Sequence, residues 1–521
     1  MAAVPAPLVD PQHQTKSSAP PPPPRGDEPK LGFLQTVKTF PRSFWMGNVM
    51  EMWERLAYYG VRVVMPIYIA QADEPGGLHF TQAQKGTIYA WWFIVGSGIP
   101  VLSGGFADRY GYKKTIALSA TINILAFTLM ANLRSYAGFF SAVMLLALGT
   151  ALFKPALQGT LAQSMTKSNS SVGWGLFYWL VNLGAAVGPP FAGAMHMMGW
   201  KYVFYGSAAV TSLNYLMLLT YPTVESGADK SGSAWKVAKD TFKNFFDPKL
   251  LAVIAIFSGF WMMLYQLWDF MPNFYADWID SSRFVAANGW LPSAWVHETS
   301  RGVQLKQENA LNLNAILIVC CVVGMSYLVR RLRVLTAMTI GILIATCGTL
   351  VYGTSPSVYV MFFGILLFSL GEMLTGPKKT EYFALIAPKG KKALYLGYVN
   401  IPVAIGPAIG AKIVGATYGV KGEKATLALR YLAEKTDFAR GKGTWDGDVE
   451  HLASFVGVER NEAVATLMKV LGQDGHAVNQ LLWDTYRPYQ VWYPFAVVGF
   501  CSLIGMIVYS QLSKRWKQMD V

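Results

Sequence analysis

The sequence predicts an all-α membrane protein with twelve spanning helices in two six-helix halves. Three observations carry that expectation. Of the 521 residues, 53% are hydrophobic and only 14% are charged, whereas a soluble domain carries about 25% charged residues. The apolar residues fall in long blocks such as Ile116–Leu133 and Ala137–Phe153, close to the ~20 residues that one bilayer crossing needs. Short motifs in the fifth and eleventh blocks recur at a constant offset. This composition argues against a secreted disulfide scaffold, a nucleic-acid-binding domain and a soluble enzyme. The net charge of +14 sits in short segments between apolar blocks, the positive-inside arrangement of membrane proteins and not a nucleic-acid footprint.

Along the chain, residues 1–42 form a Pro-rich tail containing Pro20–Pro24, expected to be disordered or polyproline. No cleavable signal is expected, because the first apolar block starts near Phe44 and already carries charges. The spans are placed at about 43–70, 84–107, 113–133, 137–165, 174–197, 201–222, 249–275, 309–330, 332–354, 356–387, 393–419 and 490–513. The N-terminal bundle is thus 43–222 and the C-terminal bundle 249–513, joined by a linker at 223–248 and closed by a tail at 514–521. Lys38 and Arg42 precede span 1, Arg109, Lys113 and Lys114 follow span 2, and Lys230, Lys236, Lys239 and Lys243 follow span 6. Arg330, Arg331 and Arg333 follow span 8, Lys389, Lys391 and Lys392 follow span 10, and Lys514, Arg515 and Lys517 close the chain. All fall on one side of the bilayer, so both termini are expected in the cytoplasm and the protein in the cell membrane. Ser233–Asp247 alternates Trp235, Phe242 and Phe246 with lysines, the pattern of an amphipathic helix lying on the membrane surface. Residues 420–489 read as an outward-facing insert with helical stretches, a small folded cap. The remaining connections read as plain loops. Cys320, Cys321, Cys347 and Cys501 lie inside apolar segments, as packing residues do. No metal site and no cofactor are expected, and carboxylates are expected to carry any protons that move.

The repeat gives the halves their relation. Val181-Asn182 and Gly188-Pro189 in span 5 recur 218 residues on as Val399-Asn400 and Gly406-Pro407 in span 11, and the same offset carries Lys154 onto Glu372. Two six-helix halves so related, with a site at the midplane, resemble the major facilitator superfamily. The loop after span 2 agrees. Gly104 to Lys114, with Asp108, Arg109 and Gly111, looks like that superfamily's cytoplasmic motif, in which glycine permits close helix packing and the charges latch neighbouring helix ends.

Ionisable residues at membrane depth are costly and usually functional. In span 1, Glu51, Glu54, Arg55, Tyr58 and Arg62 fall within an arc of about 100° on a helix, which must face protein or a water-filled cavity. Glu51 to Gly60 resembles the E-x-x-E-R-F-x-Y-Y-G signature of the proton-coupled oligopeptide transporters, with Leu56 in place of Phe. Phe177 to Gly184, Lys154 before Pro155, and Gly371-Glu372-Met373 with Pro377 are similar to further motifs of that family. The resemblance implies that Arg55, Arg62 and Lys154 hold a peptide carboxylate and Glu372 its amino terminus. It places Tyr58, Asn182 and Gln266 in the same substrate site, and Glu51 and Glu54 in proton coupling. Opposite charges on opposite walls of a low-dielectric cavity suit a zwitterion.

The sequence departs from the family pattern in span 7, where Tyr265 stands at the usual carboxylate position, and in span 2, where Ser97 replaces a tyrosine. Lys378, Lys379 and Glu381 are extra charges in span 10. Asp269 lies four residues after Tyr265, on the same helix face about 6 Å further outward, and is expected to pair with Arg62 across the outer gate and to take part in proton coupling, its protonation favouring opening outward. The function so implied is import of di- and tripeptides by proton symport, by a monomer in the lipid bilayer with no nucleic-acid partner. The alternatives are a uniporter or carrier of another small anionic or zwitterionic solute, and a non-transporting sensor or scaffold that displays the insert. No H-E-x-x-H, G-x-S-x-G or Walker-type loop is present, so an enzyme is not expected.

Overall fold

The computed structural model describes residues 33–166, 169–225, 246–329, 332–387, 395, 397–441 and 443–514. The expected amphipathic linker lies outside them apart from Phe246 and Asp247, as do most of the N-terminal tail and the C-terminal tail after Lys514.

Among the described residues, span 1 is the helix Arg42–Ala70, span 3 Tyr112–Asn132, span 4 Tyr136–Gln163, span 5 Ser170–His196 and span 6 Trp200–Leu219. Spans 9, 10, 11 and 12 are Val334–Gly353, Val358–Leu385, Ile401–Lys421 and Tyr493–Ser513. Three spans are divided. Span 2 runs as Gln82–Gly98 and Pro100–Tyr110, span 7 as Pro248–Leu264, Gln266–Asp269 and Met271–Trp278, and span 8 as Gln307–Leu311 and Leu313–Leu328. In hydrocarbon every backbone polar group must find an internal partner, which leaves helices as the viable form for such segments. Where the ends meet water, caps take over: Thr81 and Gln84 form a reciprocal capping box at the start of span 2. The last break in span 7 falls two residues before Pro272, whose missing N–H removes a helical bond. Eight of these helices are apolar and long enough to cross a bilayer by composition alone. The remaining four include the charged span 1 and the divided spans 2 and 8.

The two halves pack alike. Span 1 packs on spans 5 and 6, span 3 on 4 and 6, and span 2 on 4; span 7 packs on 11 and 12, span 9 on 10 and 12, and span 8 on 10. Adding six to each number in the first set gives the second. The halves meet where span 2 packs on span 11 and span 5 on span 8, again a symmetric pair. The repeated Gly-Pro has a reason in this packing. A Cβ on Gly188 would come within 2.7 Å of the Gly60 nitrogen and the Leu56 oxygen in span 1, and one on Gly406 within 2.0 Å of the Ser258 oxygen in span 7. Only glycine lets either pair of helices approach so closely.

Both ends of the bundle are distinct. One carries the described chain ends, Phe33 and Lys514, and is called here the terminal side. The other, the insert side, carries two additions. The helices Lys424–Lys435, Val449–Val456, Ala463–Leu471 and Gly475–Tyr486 bury Leu427, Leu432, Leu452, Val456, Leu467 and Leu482 in a core continuous with that of the second half. The connection between spans 7 and 8, expected as a plain loop, instead contains an antiparallel hairpin, Val296–Thr299 with Gly302–Leu305, in the register Val296 to Leu305. Four-residue strands leave little alternation to recognise in a sequence. Tertiary contacts hold them, among them Arg301, which donates to the Ile279 carbonyl at 2.8 Å and the Ala276 carbonyl at 2.6 Å.

Candidate functional site

Span 1 carries the densest charge in the membrane-spanning part. Arg55 Nε donates to Glu54 Oε2 at 2.5 Å and lies 3.4 Å from Glu51 Oε1. The guanidinium also rests over the ring of Tyr58, 4.8 Å from its centroid. Glu51, Glu54 and Arg55 are all buried. One cation between two carboxylates leaves a negative remainder, and Lys154 of span 4 lies within electrostatic reach of all three. Lys154 is itself exposed although Phe153 and Leu157 beside it are fully buried. Its side chain therefore projects into a solvent-reached space within the bundle.

Glu372 of span 10 belongs to the opposite half. It accepts a 3.0 Å bond from Asn314 Nδ2 of span 8 and lies within electrostatic reach of Tyr59 and Tyr178 in the first half. Asn182 donates to the Tyr178 carbonyl at 2.8 Å, a bond within its own helix. Gln266 is fully buried, donates to the Met262 carbonyl at 2.7 Å, and is packed against Gly410 of span 11; in this state it does not reach solvent. Of the extra charges in span 10, Lys378 pairs with Glu381 at 2.9 Å. Lys379 is buried with its ammonium 4.1 Å from the ring centroid of Trp261 in span 7.

Toward the insert side the halves are joined by a second charged assembly. Arg62 of span 1 forms a buried ion pair with Asp269 of span 7. Its guanidinium donates to the Tyr58 hydroxyl at 3.1 Å and is walled by Trp92 and Phe93, with centroids at 4.7 and 4.6 Å. Lys85 of span 2 donates to the Asp269 carbonyl at 3.3 Å and to Asn273 Oδ1 at 2.7 Å. Asn273 in turn donates to the Pro66 carbonyl at 3.0 Å and to Gln71 Oε1 at 3.1 Å, and Gln71 donates to Asp277 Oδ1 at 2.9 Å. Asp277 accepts a short bond from Tyr418 and one from the Lys424 backbone at the foot of the insert. A buried charge persists only when it is paired and its remaining bonds are met, and here the partners come from both halves. Lys85, Asn273, Gln71 and Asp277 were not singled out from sequence. A lysine within span 2 was the one visible signal, since the others are polar residues at helix ends with no spacing to mark them.

The motif between spans 2 and 3 lies on the terminal side. Gly111 has φ 95°, so the reversal between the two helices needs a residue without Cβ. Asp108 accepts from the Tyr112 hydroxyl at 2.7 Å, and Arg109 is exposed. Gly104 lies in the second segment of span 2. The motif borders a cleft of about 810 Å³ against the end of span 6. Among the described residues, no group of three or more His, Cys, Asp or Glu could hold a metal ion.

The sequence profile of the Major Facilitator Superfamily matches residues 53–411. A transporter of Bacillus subtilis is 30% identical over 194 residues, 36% of this chain and 37% of the relative. A di-/tripeptide transporter of Lactococcus lactis subsp. lactis is 27% identical over 255 residues, 46% of this chain and 50% of the relative. The chain thus spans half or less of the length of these curated relatives. Among solved structures, a POT family transporter in complex with a thioalcohol conjugated peptide superposes with TM-score 0.63 at 15% identity, covering 93% of this chain and all of that one. A nucleoside transporter, NupG, superposes with TM-score 0.59 at 13% identity, covering 90% and 99%. Both likenesses are of fold alone, and the fold accommodates more than one class of solute.

Proposed function

The chain belongs to the Major Facilitator Superfamily, and on that premise we propose that it imports di- and tripeptides together with protons, by alternating access around the charged midplane. It is an integral membrane protein of a transporter family. In this reading the insert side faces outward, both termini are cytoplasmic, the membrane is the cell membrane, and one chain is the working unit. What supports the reading is the opposition of charge between the two halves, with Tyr59 within electrostatic reach of both Arg55 and Glu372. Arg55 and Lys154 stand on the first half and Glu372 on the second, as the two ends of a zwitterion require. In this reading the Arg62–Asp269 pair closes the outward-facing side. Peptides share their charged ends, so such a site tolerates varied side chains. Glu51 and Glu54 exchange partners with Arg55 and Lys154 when the substrate carboxylate arrives, which changes their proton affinity.

The test is uptake of a labelled dipeptide into proteoliposomes, with and without an inward proton gradient. Gradient-driven accumulation is expected, and no uptake in either condition refutes peptide transport. A second reading, a uniporter or carrier of another small zwitterion, draws on Tyr265 at the usual carboxylate position, since phenol titrates near pH 10. Saturable uptake that ignores the gradient would select it.

A further inference from the structure

The contact between spans 5 and 8 on the insert side holds a carboxylate that no ion pair accounts for. Glu308, in the short helix Gln307–Leu311 that opens span 8, is only 4% exposed. Its Oε1 has no hydrogen-bond partner, and its Oε2 accepts a 3.2 Å bond from Gln307 Nε2. It makes no ion pair within 4.0 Å among the described residues. Span 5 presses against it, because a Cβ on Gly193 would lie 3.0 Å from Oε1. Span 1 is adjacent, since Gln307 also donates to the Val63 carbonyl at 3.2 Å. The group is therefore sealed between the two halves.

The charged and titratable groups facing it come from every neighbouring element. They are His196 at the end of span 5, Glu74 after span 1, Lys306 beside it in the chain and Tyr275 at the end of span 7. His196 is already 3.2 Å from Glu74, and Lys306 remains beyond pairing distance. Lys306 and His196 favour the ionised form only from a distance, and a carboxylate so buried and unpaired resists ionisation.

We propose that Glu308 is a proton-binding site of the gate, protonated while the halves are in contact on the insert side and ionised when they part. The inference rests on the alternating-access reading above. Closure moves one proton from insert-side water onto the Glu308 carboxylate, and opening returns it to that water; no other reactant takes part. The closed form binds one more proton than the open form, so closure is favoured at low pH and is lost as the pH rises above the ordinary glutamate range.

The experiment measures the distance between spin labels at Met198→Cys and Trp290→Cys. These exposed insert-side positions belong one to each half, and the four native cysteines are replaced by serine. In the unmodified gate the short-distance population is expected to fall by about threefold or more between roughly pH 5 and 8. Glu308→Gln should keep the short distance at the upper end, and Glu308→Asp should restore the loss. A fall with rising pH that is unchanged in Glu308→Gln overturns the proposal. So does a short-distance population in the unmodified gate that does not fall over this range, or that follows sodium concentration and not pH. The last two readings need no variant, so they decide the matter even if Glu308→Gln fails to fold. No peptide is present, so a dead dipeptide-uptake assay with a pH-dependent gate would sink peptide transport and leave Glu308 standing.

Discussion

Arg62 and Lys154 show how differently two cations in one membrane protein can be kept. Arg62 is 2% exposed, paired with Asp269 and boxed by aromatic rings. Removing one partner of such a pair leaves a buried charge and costs roughly 3–5 kcal/mol. Asp269→Asn is therefore expected to weaken insert-side closure and to flatten the dependence of dipeptide uptake on external pH. An unchanged pH profile would leave Glu51 and Glu54 as the coupling residues. Lys154 packs against nothing comparable, since its side chain lies in a solvent-reached space. Lys154→Ala should leave the protein folded, yet abolish gradient-driven uptake. Normal uptake by that variant would count against a carboxylate-binding role. The span 1 stripe was legible because five polar side chains at helical spacing have few explanations in a bilayer. The aromatic box around Arg62 was not, because aromatic residues in a span read first as packing.

Span 2 and span 11 form the closest joint between the halves. A Cβ on Gly86 would meet the Ala411 carbonyl oxygen at 2.4 Å, and that oxygen belongs to a helix backbone that cannot yield alone. Gly86→Val is expected to force the two helices apart at a cost of about 1–3 kcal/mol. The closed state would lose population, seen as a longer distance between labels at positions 198 and 290. A distance distribution identical to the parent would show that the joint does not hold the gate. Span 7 teaches a related lesson. Its apolar run reads as one helix over 249–275, but the structure divides it at Tyr265 and Phe270. The breaks bracket Asp269, whose pairing and the nearby Pro272 override the local preference for a continuous helix.

At the scale of the whole molecule the insert is fastened to both halves. Glu423 at its foot accepts from Gln82 of span 2 at 3.1 Å, and Arg460 of the insert pairs with it at 2.6 Å. Loss of a hydrogen bond to a buried charged group costs about 1–3 kcal/mol. Arg460→Ala should thus lower the melting temperature, and it should loosen closure on the insert side, detected by the same pair of labels. A full loss of melting temperature with no change in label distance would separate the fold of the insert from the gate.

The sequence by itself determined the helix count, the two-half repeat and the charged stripe of span 1. Each is written in local terms: the length of an apolar run, a constant offset, the angular spacing of residues on one helix. The expectation that Asp269 lies on the Arg62 side of span 7 was also within reach of such spacing. Only the tertiary structure decided which charges meet. Lys85, Asn273, Gln71 and Asp277 form one chain because four segments far apart in sequence converge on the insert side. The hairpin after span 7 and the solitary burial of Glu308 have the same origin, since a four-residue strand or a single carboxylate takes its state from what packs on it. A pattern within one element can be read along the chain, whereas burial and pairing belong to surfaces that exist only once the halves have come together.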